Sequence, residues 1–169
     1  MKNVLVTGGL GFIGSNLSNE LLELGHNVTI VDNMSSARTD FEDFIAARPN
    51  INVIKSCFAA PDILKDIKAG MFDYVFHVAA IPRVSYSVEN PFETTDNNVN
   101  RTVKLIEACV GNISRFIFSS SSSVYGGADI LPTPVNYPKD PKSPYAWQKS
   151  CIEDFISMTC DLHPAFDAI

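Results

Sequence analysis

Tyr145 and Lys149 stand four residues apart, the spacing that brings two side chains onto one face of a helix. A free phenol, with a pKa of about 10, is too weak an acid to serve as a base near neutrality. An ammonium about 5 Å away, at an effective dielectric near 20, contributes about 3 kcal/mol, or roughly two pKa units. Such a pair can act as a general base. On their own, however, the two residues read first as an exposed helical pair.

A second group has the geometry of a phosphate cradle. Thr7-Gly8-Gly9-Leu10-Gly11-Phe12-Ile13-Gly14 lies where the apolar run Val4 to Val6 gives way to a helical pattern. Glycine permits the positive φ of a tight turn, lets the backbone approach a pyrophosphate, and lets helix and strand pack closely. The free N–H groups and partial positive charge of the helix start then face the phosphates. Asp32 closes the second apolar run at the distance expected of an acidic residue that accepts hydrogen bonds from both hydroxyls of an adenosine ribose. Its charge repels the extra phosphate of NADP, so the dinucleotide this pattern favours is NAD.

The elements that must position these residues alternate along the chain. Val4 to Val6, Val28 to Val31, Ile51 to Ile54, Tyr74 to Val78 and Phe116 to Phe118 read as buried strands. Between them lie helical patterns: Ile13, Leu17, Leu21 and Leu22 on one face, closed by Gly25; Phe41, Phe44 and Ile45, stopped by Pro49; and a weak helix over Ile63 to Ile67. A long helix is predicted from near Pro91 to Val110, with Val99, Val103, Ile106 and Val110 along one stripe. Ser143-Pro144 opens the last helix, serine as N-cap and proline as first helical residue. Ala165 to Ile169 reads as a sixth strand just beginning. Near-continuous apolar strands alternating with helices predict an α/β, Rossmann-type doubly wound parallel sheet covered on both faces.

Composition narrows the function classes. The 169 residues, 46% of them hydrophobic, are enough for one well-filled core. A formal net charge of −6 disfavours nucleic acid and anionic membranes as partners. No apolar run approaches the roughly 18 residues of a membrane span, and Met1 to Val6 does not read as a signal peptide. Cys57, Cys109, Cys151 and Cys160 match no zinc spacing and read as buried free thiols of a cytoplasmic protein. His26, His77 and His163 are scattered, so no metal site is expected; His77 reads as a hydrogen-bonding residue at a strand end.

Five segments together resemble the extended short-chain dehydrogenases/reductases, and within them the NAD-dependent nucleotide-sugar epimerases and dehydratases. They are Thr7, Gly8, Gly11 and Gly14; His77-Val78-Ala79-Ala80; Asp96-Asn97-Asn98-Val99-Asn100; the run Ser119 to Gly126; and Tyr145-Ala146-Trp147-Gln148-Lys149. The likeness is greatest to UDP-glucose 4-epimerase-like enzymes. It implies that Gly8, Gly11, Phe12, Ile13 and Gly14 hold the pyrophosphate and that Asp32 and Asn33 hold the adenosine ribose. It further implies that Val78, Ala79, Ala80 and Asn97 line the dinucleotide, and that Ser121, Tyr145 and Lys149 are catalytic. Tyr145 and Lys149 would also touch the cofactor. Arg83 and Ser85, with Ser121 and Tyr145, would meet the nucleotide sugar, although Arg83, Ser85 and Tyr86 also suit an ordinary polar loop. One departure is visible: where the family carries a Gly-Asp pair that binds the adenine, this chain reads Ser56-Cys57-Phe58.

By the same resemblance, Tyr145 takes the proton of the sugar's carbon-4 hydroxyl while NAD takes the hydride, and Ser121 hydrogen-bonds the same oxygen. The family's dehydratases carry an Asp-Glu pair before Val-Tyr-Gly and its decarboxylases a Glu. Ser122 and Ser123 stand there instead, which favours a UDP-sugar 4-epimerase. A keto-sugar reductase or dehydratase relative, and a non-catalytic NAD-binding module, are the alternatives. Residues 1–169 are expected to form one NAD-binding domain, truncated at the start of its sixth strand and lacking the C-terminal substrate lobe. Such a chain would be inactive alone, and the family likeness implies a homodimer.

Overall fold

The computed structural model describes residues 1–37, 48–127 and 129–169. The predicted helix carrying Phe41, Phe44 and Ile45 lies outside them. Among the described residues, β1 (Asn3–Thr7), β2 (Asn27–Asp32), β3 (Ile51–Lys55), β4 (Tyr74–His77) and β5 (Arg115–Phe118) form one parallel sheet in the order β3-β2-β1-β4-β5. The chain winds outwards from β1 to β3, then crosses back to set β4 on the other side of β1. Thr7 pairs with Val31 on one side and with His77 on the other. Gly8, Asp32 and Val78 therefore emerge at one end of the sheet, where reversal of the winding opens a crevice.

Alternation along β1 divides the core. Val4 and Val6, with Val28 and Ile30 of β2, face α1 (Phe12–Glu23) and pack with Leu10 and Leu21. Leu5, Val31, Val75 and Phe116 face the other way. There they meet α2 (Pro61–Lys68), α5 (Arg101–Cys109) and α6 (Pro144–Leu162) through Ile63, Ile67, Leu105, Ile106, Ile152 and Ile156. Each such buried aliphatic side chain contributes about 1.5–3 kcal/mol. The polar ends of α1 and α6 follow local rules. Gly25, at φ +81°, reverses the chain after α1, and His26 N–H and Gly25 N–H close on Leu21 O and Leu22 O at 3.0 Å each. The Ser143 hydroxyl accepts from Ala146 N–H at 3.2 Å, ahead of Pro144.

The predicted long helix from Pro91 to Val110 is three pieces. α4 (Pro91–Thr95) leads into a π-helical turn over Asp96–Asn100 and then into α5. A further short helix, α3 (Val84–Glu89), precedes them where a loop was expected. The wider turn shifts the helical phase, so full burial falls on Thr102, Leu105, Ile106, Ala108 and Cys109. Of the predicted stripe, Ile106 is fully buried, and Val99, Val103 and Val110 are half-buried against the same core. That stripe faces the sheet. Ile13 also departs from its predicted core face and is 59% exposed, because α1 turns Gly14, Ser15 and Ser18 inwards instead. Residues 167–169 run alongside β5, joined by Phe116 N–H to Asp167 O at 2.9 Å and Ile169 N–H to Phe116 O at 3.0 Å.

Candidate active site

A cleft of about 450 Å³ opens at the end of the sheet between β1 and β4. One wall is the glycine turn. Gly8 has φ +69°, and a Cβ there would stand 2.8 Å from the Ala79 backbone. A Cβ on Gly14 would run into the Gly8 carbonyl and the Gly9 backbone. Side chains are thus excluded where the turn, α1 and the opposite wall approach most closely. Gly11 is the N-cap of α1 and offers no side chain to its first amides, so the helix start is left able to receive an anion. Phe12 and Ile13, though exposed, line the cleft with Gly8, Gly11 and Gly14.

Asp32 is buried beside this turn. Its carboxylate accepts Leu10 N–H at 3.0 Å and Met34 N–H at 2.8 Å, which ties the glycine turn to the end of β2. Asn33 also lines the cleft, and its side-chain oxygen accepts Ser35 N–H. Beyond Asp32 the wall is Ser56, Cys57 and Phe58. The Cys57 sulfur accepts from Ala59 N–H at 3.4 Å and faces Arg101 Nη1 at 3.6 Å, and Arg101 pairs with Asp96 at 2.9 Å. Val78, Ala79, Ala80, Arg83 and Asn97 form the opposite side. Ser85 is exposed on α3 and lies outside the cleft lining, and the Tyr86 hydroxyl donates to Glu93 instead.

Tyr145 and Lys149, one turn apart on α6, both reach the cleft. The pair departs from expectation in its electrostatics. Burial pushes the Tyr145 phenol above its ordinary value, with the Ser121 hydroxyl acting against it. Lys149 is not among the causes; its ammonium donates to Ser119 O at 2.6 Å and lies 4.4 Å over the Phe118 ring. Burial pulls that ammonium down to about 8, opposed by the carboxylate of Glu153. Ser121 accepts from Ser123 N–H and Ser123 Oγ at the start of the 3-10 turn Ser122–Tyr125. His77 is fully buried between Thr7 Oγ1 (2.7 Å) and Thr102 Oγ1 (2.9 Å), and burial pushes it down to about 3. It is a neutral tie between β1, β4 and α5.

A second hollow, of about 540 Å³, lies on the sheet face over Tyr74, Phe76 and Ile117. It holds none of the motif residues, so size alone does not make it the site. Among the described residues no cluster of His, Cys, Asp or Glu could hold a metal ion, and no helix is long and apolar enough to cross a membrane. The four thiols are free, but only Cys109 is fully buried, its thiol pushed up to about 12.

The model of the NAD dependent epimerase/dehydratase family matches residues 4–168. The chain belongs to that family. It is 34% identical over 174 residues to the UDP-glucose 4-epimerase of Neisseria meningitidis serogroup C, spanning all of this chain and 51% of that relative. A solved UDP-N-acetylglucosamine 4-epimerase from Methanobrevibacter ruminantium M1 is similar at 38% identity and a TM-score of 0.89, over 99% of this chain and 53% of that one. A UDP-glucose 4-epimerase from Bifidobacterium longum, solved with NAD⁺ and UDP, is similar at 29% identity and a TM-score of 0.88, over 98% and 51%. The chain spans about half or less of the length of the curated relatives it matches.

Around the family's motif residues, the structure adds contacts to which the sequence assigned no role. Ser87 is buried, and its hydroxyl accepts Tyr145 N–H at 3.1 Å, holding the first turn of α6. Gln148 and Asn98 meet in the interior, Asn98 Nδ2 donating to Gln148 Oε1 at 2.8 Å. Glu153 accepts from Ser120 and pairs with Lys139 at 2.8 Å, fastening α6 to the strand end and to the following loop. The available signal was slight: polar residues at inward positions of otherwise amphipathic helices.

Proposed function

We propose that residues 1–169 are the dinucleotide-binding half of an NAD-dependent UDP-sugar 4-epimerase. The observation that carries this reading is convergence. The glycine turn, Asp32, Asn97 and the Tyr145–Lys149 face, drawn from distant parts of the chain, line one cleft at the switch point of the sheet. The cleft suits a dinucleotide: side chains are excluded beside the turn, the helix start is uncapped, and a buried carboxylate stands where a ribose would lie. Negative charge at Asp32 favours NAD over NADP. Cys57 in place of a carboxylate removes a strong acceptor from the adenine end, so weak to moderate affinity is expected. The free thiols fit a cytoplasmic setting.

Bound NAD supplies a hydride acceptor that can return the hydride to either face of a keto sugar. The chain's own residues handle the proton. Tyr145 Oη accepts it from the carbon-4 hydroxyl and later returns it, while the Ser121 hydroxyl holds the same oxygen. Burial keeps Tyr145 protonated in the ligand-free chain, so the offset would have to come from the positive nicotinamide of bound NAD together with a nearby ammonium. Lys149, charged below about pH 8, is the cation one turn away. Arg83, in the lining of the cleft, would meet the sugar nucleotide. Positioning a substrate by its remote parts is worth about 7 kcal/mol or more, and the relatives extend to about twice this length. The isolated 169 residues are therefore expected to bind NAD without appreciable turnover.

In the complete protein carrying this segment, Tyr145→Phe should abolish nearly all interconversion of UDP-glucose and UDP-galactose and leave NAD binding close to normal. Retention of more than a tenth of the activity, a loss under about 1.4 kcal/mol, would remove Tyr145 from its role. Calorimetric titration of the chain with both dinucleotides checks the cofactor half, and equal binding of NADP would overturn it.

A further inference from the structure

We propose that Gln148 is a positioning residue whose buried amide sets the rotation of α6 and so aims Tyr145 and Lys149 into the dinucleotide cleft. This rests on the reading above that those two side chains serve the nicotinamide half of NAD. Gln148 is fully buried. Its Nε2 donates to Thr94 Oγ1 at 2.9 Å and to Thr95 Oγ1 at 3.1 Å, and its Oε1 accepts from Asn98 Nδ2 at 2.8 Å. Asn98 in turn holds the β4 loop, its Oδ1 accepting Ile81 N–H at 2.8 Å and its Nδ2 donating to Ile81 O at 3.1 Å. The same Oδ1 accepts from Asn97 Nδ2 at 3.0 Å. Both polar side-chain atoms of Gln148 and of Asn98 have partners, and a buried amide left unpaired is costly.

The position of the clamp gives it its function. On a helical wheel Gln148 lies about 60° from Tyr145 and about 100° from Lys149, on the flank of the working face. The first two turns of α6 bury Tyr145, Ala146, Gln148, Lys149 and Ser150, and the large apolar anchors begin only at Ile152. Apolar packing is non-directional, so this end of the helix takes its rotation from directional bonds. Ser87 holds one backbone amide, whereas Gln148 holds a side chain at three points. The far ends of its network, Asn97 and Ile81, are themselves cleft walls. One amide therefore registers the catalytic helix, the π turn and the β4 loop against one another.

The test compares binding of NAD with that of ADP, which lacks the nicotinamide half and needs only the glycine turn and Asp32. Gln148→Met fills the same space without hydrogen bonds. It should weaken NAD binding about tenfold and change ADP binding less than twofold. Gln148→Glu, whose carboxylate can accept from Asn98 and from the rotated threonine hydroxyls, should recover part of the loss. Should the Met variant not fold, Thr94→Val removes one of the three bonds and should give a smaller loss of the same selectivity. Hydrogen exchange on the ligand-free chain reads the clamp directly: Ile81 N–H should exchange at least tenfold faster in Gln148→Met, with the β1 amides unchanged. Equal losses for NAD and ADP, no loss for either, or unchanged exchange at Ile81 would each overturn the proposal. If the unmodified chain bound NAD no better than ADP, the assignment of Tyr145 and Lys149 to the nicotinamide half would fail by itself. The exchange rates would then still decide the clamp.

Discussion

Lys149 meets two demands that oppose each other. As a buried ammonium it is costly to the fold, and as the cation beside Tyr145 it must stay charged. Its partners, the Ser119 carbonyl and the Phe118 ring, leave it at about 8, against 10.5 when free. That gap corresponds to about 3 kcal/mol. The cost is full below pH 8 and fades as pH rises to 10.5, because there the folded chain has released a proton that the unfolded chain still holds. Lys149→Met should therefore raise the melting temperature at pH 7 by several degrees while weakening NAD binding, and its advantage should vanish near pH 10.5. Scanning calorimetry across pH checks this; a lower melting temperature at pH 7 would show that the lysine stabilises the fold. At this scale the sequence was informative where chemistry has a fixed spacing, as at Tyr145–Lys149 and at Asp32 after the glycine turn. It was silent where the partner comes from afar. Ser87 and Tyr145, or Asn98 and Gln148, are separated by 58 and 50 positions, and no local pattern links them. In the ligand-free chain burial outweighs the expected lowering of the phenol, and the lysine's own partner, a backbone carbonyl 30 residues away, is equally invisible to a local pattern.

His77 joins three elements through its two ring nitrogens, one to β1 and one to α5. Burial holds it neutral down to about pH 3, against 6.5 unfolded. As pH falls through that window the unfolded chain takes up a proton that the folded chain refuses, so stability drops, by at most about 5 kcal/mol. His77→Gln should flatten the dependence of the urea midpoint on pH between 6.5 and 3. An unchanged slope would place the acid sensitivity elsewhere. The strands were legible because each is a short apolar run bounded by turn residues, and both predicted caps, Gly25 and Ser143, are in place. The helices between Arg83 and Val110 were less so. Polar residues at 94–98 look like the outer face of one amphipathic helix, yet Thr94, Asn97 and Asn98 are buried. Their inward turn comes with the π segment, which no hydrophobic period announces.

At the scale of the whole molecule, the apolar stripe from Val99 to Val110 faces the core and cannot serve a partner. Among the apolar side chains exposed on the neighbouring helices are Phe92, 85% exposed, Val88 at 61% and Trp147 at 50%. With the family likeness, these exposed side chains lead us to propose a homodimer built on the outer faces of α4 and α6. Sedimentation velocity at tens of micromolar should show a dimer that Phe92→Glu converts to monomer; a monomer for the unmodified chain would count against it. The sheet itself carries Tyr74, Phe76 and Ile117 under an open hollow, a face on which sequence reasoning expected cover. On its other half, β1, β2 and β3 themselves stand where the apolar runs predicted strands. The π turn has one more consequence. It sits upstream of α5, so adding or deleting one residue between 96 and 100 would swing every later helical side chain by about 100° relative to Asn97. Leu105 and Ile106 would leave the core together. Across generations this stretch should therefore keep its length, and Asn97 and Asn98 their identity, while the exposed Asn100 is freer to change.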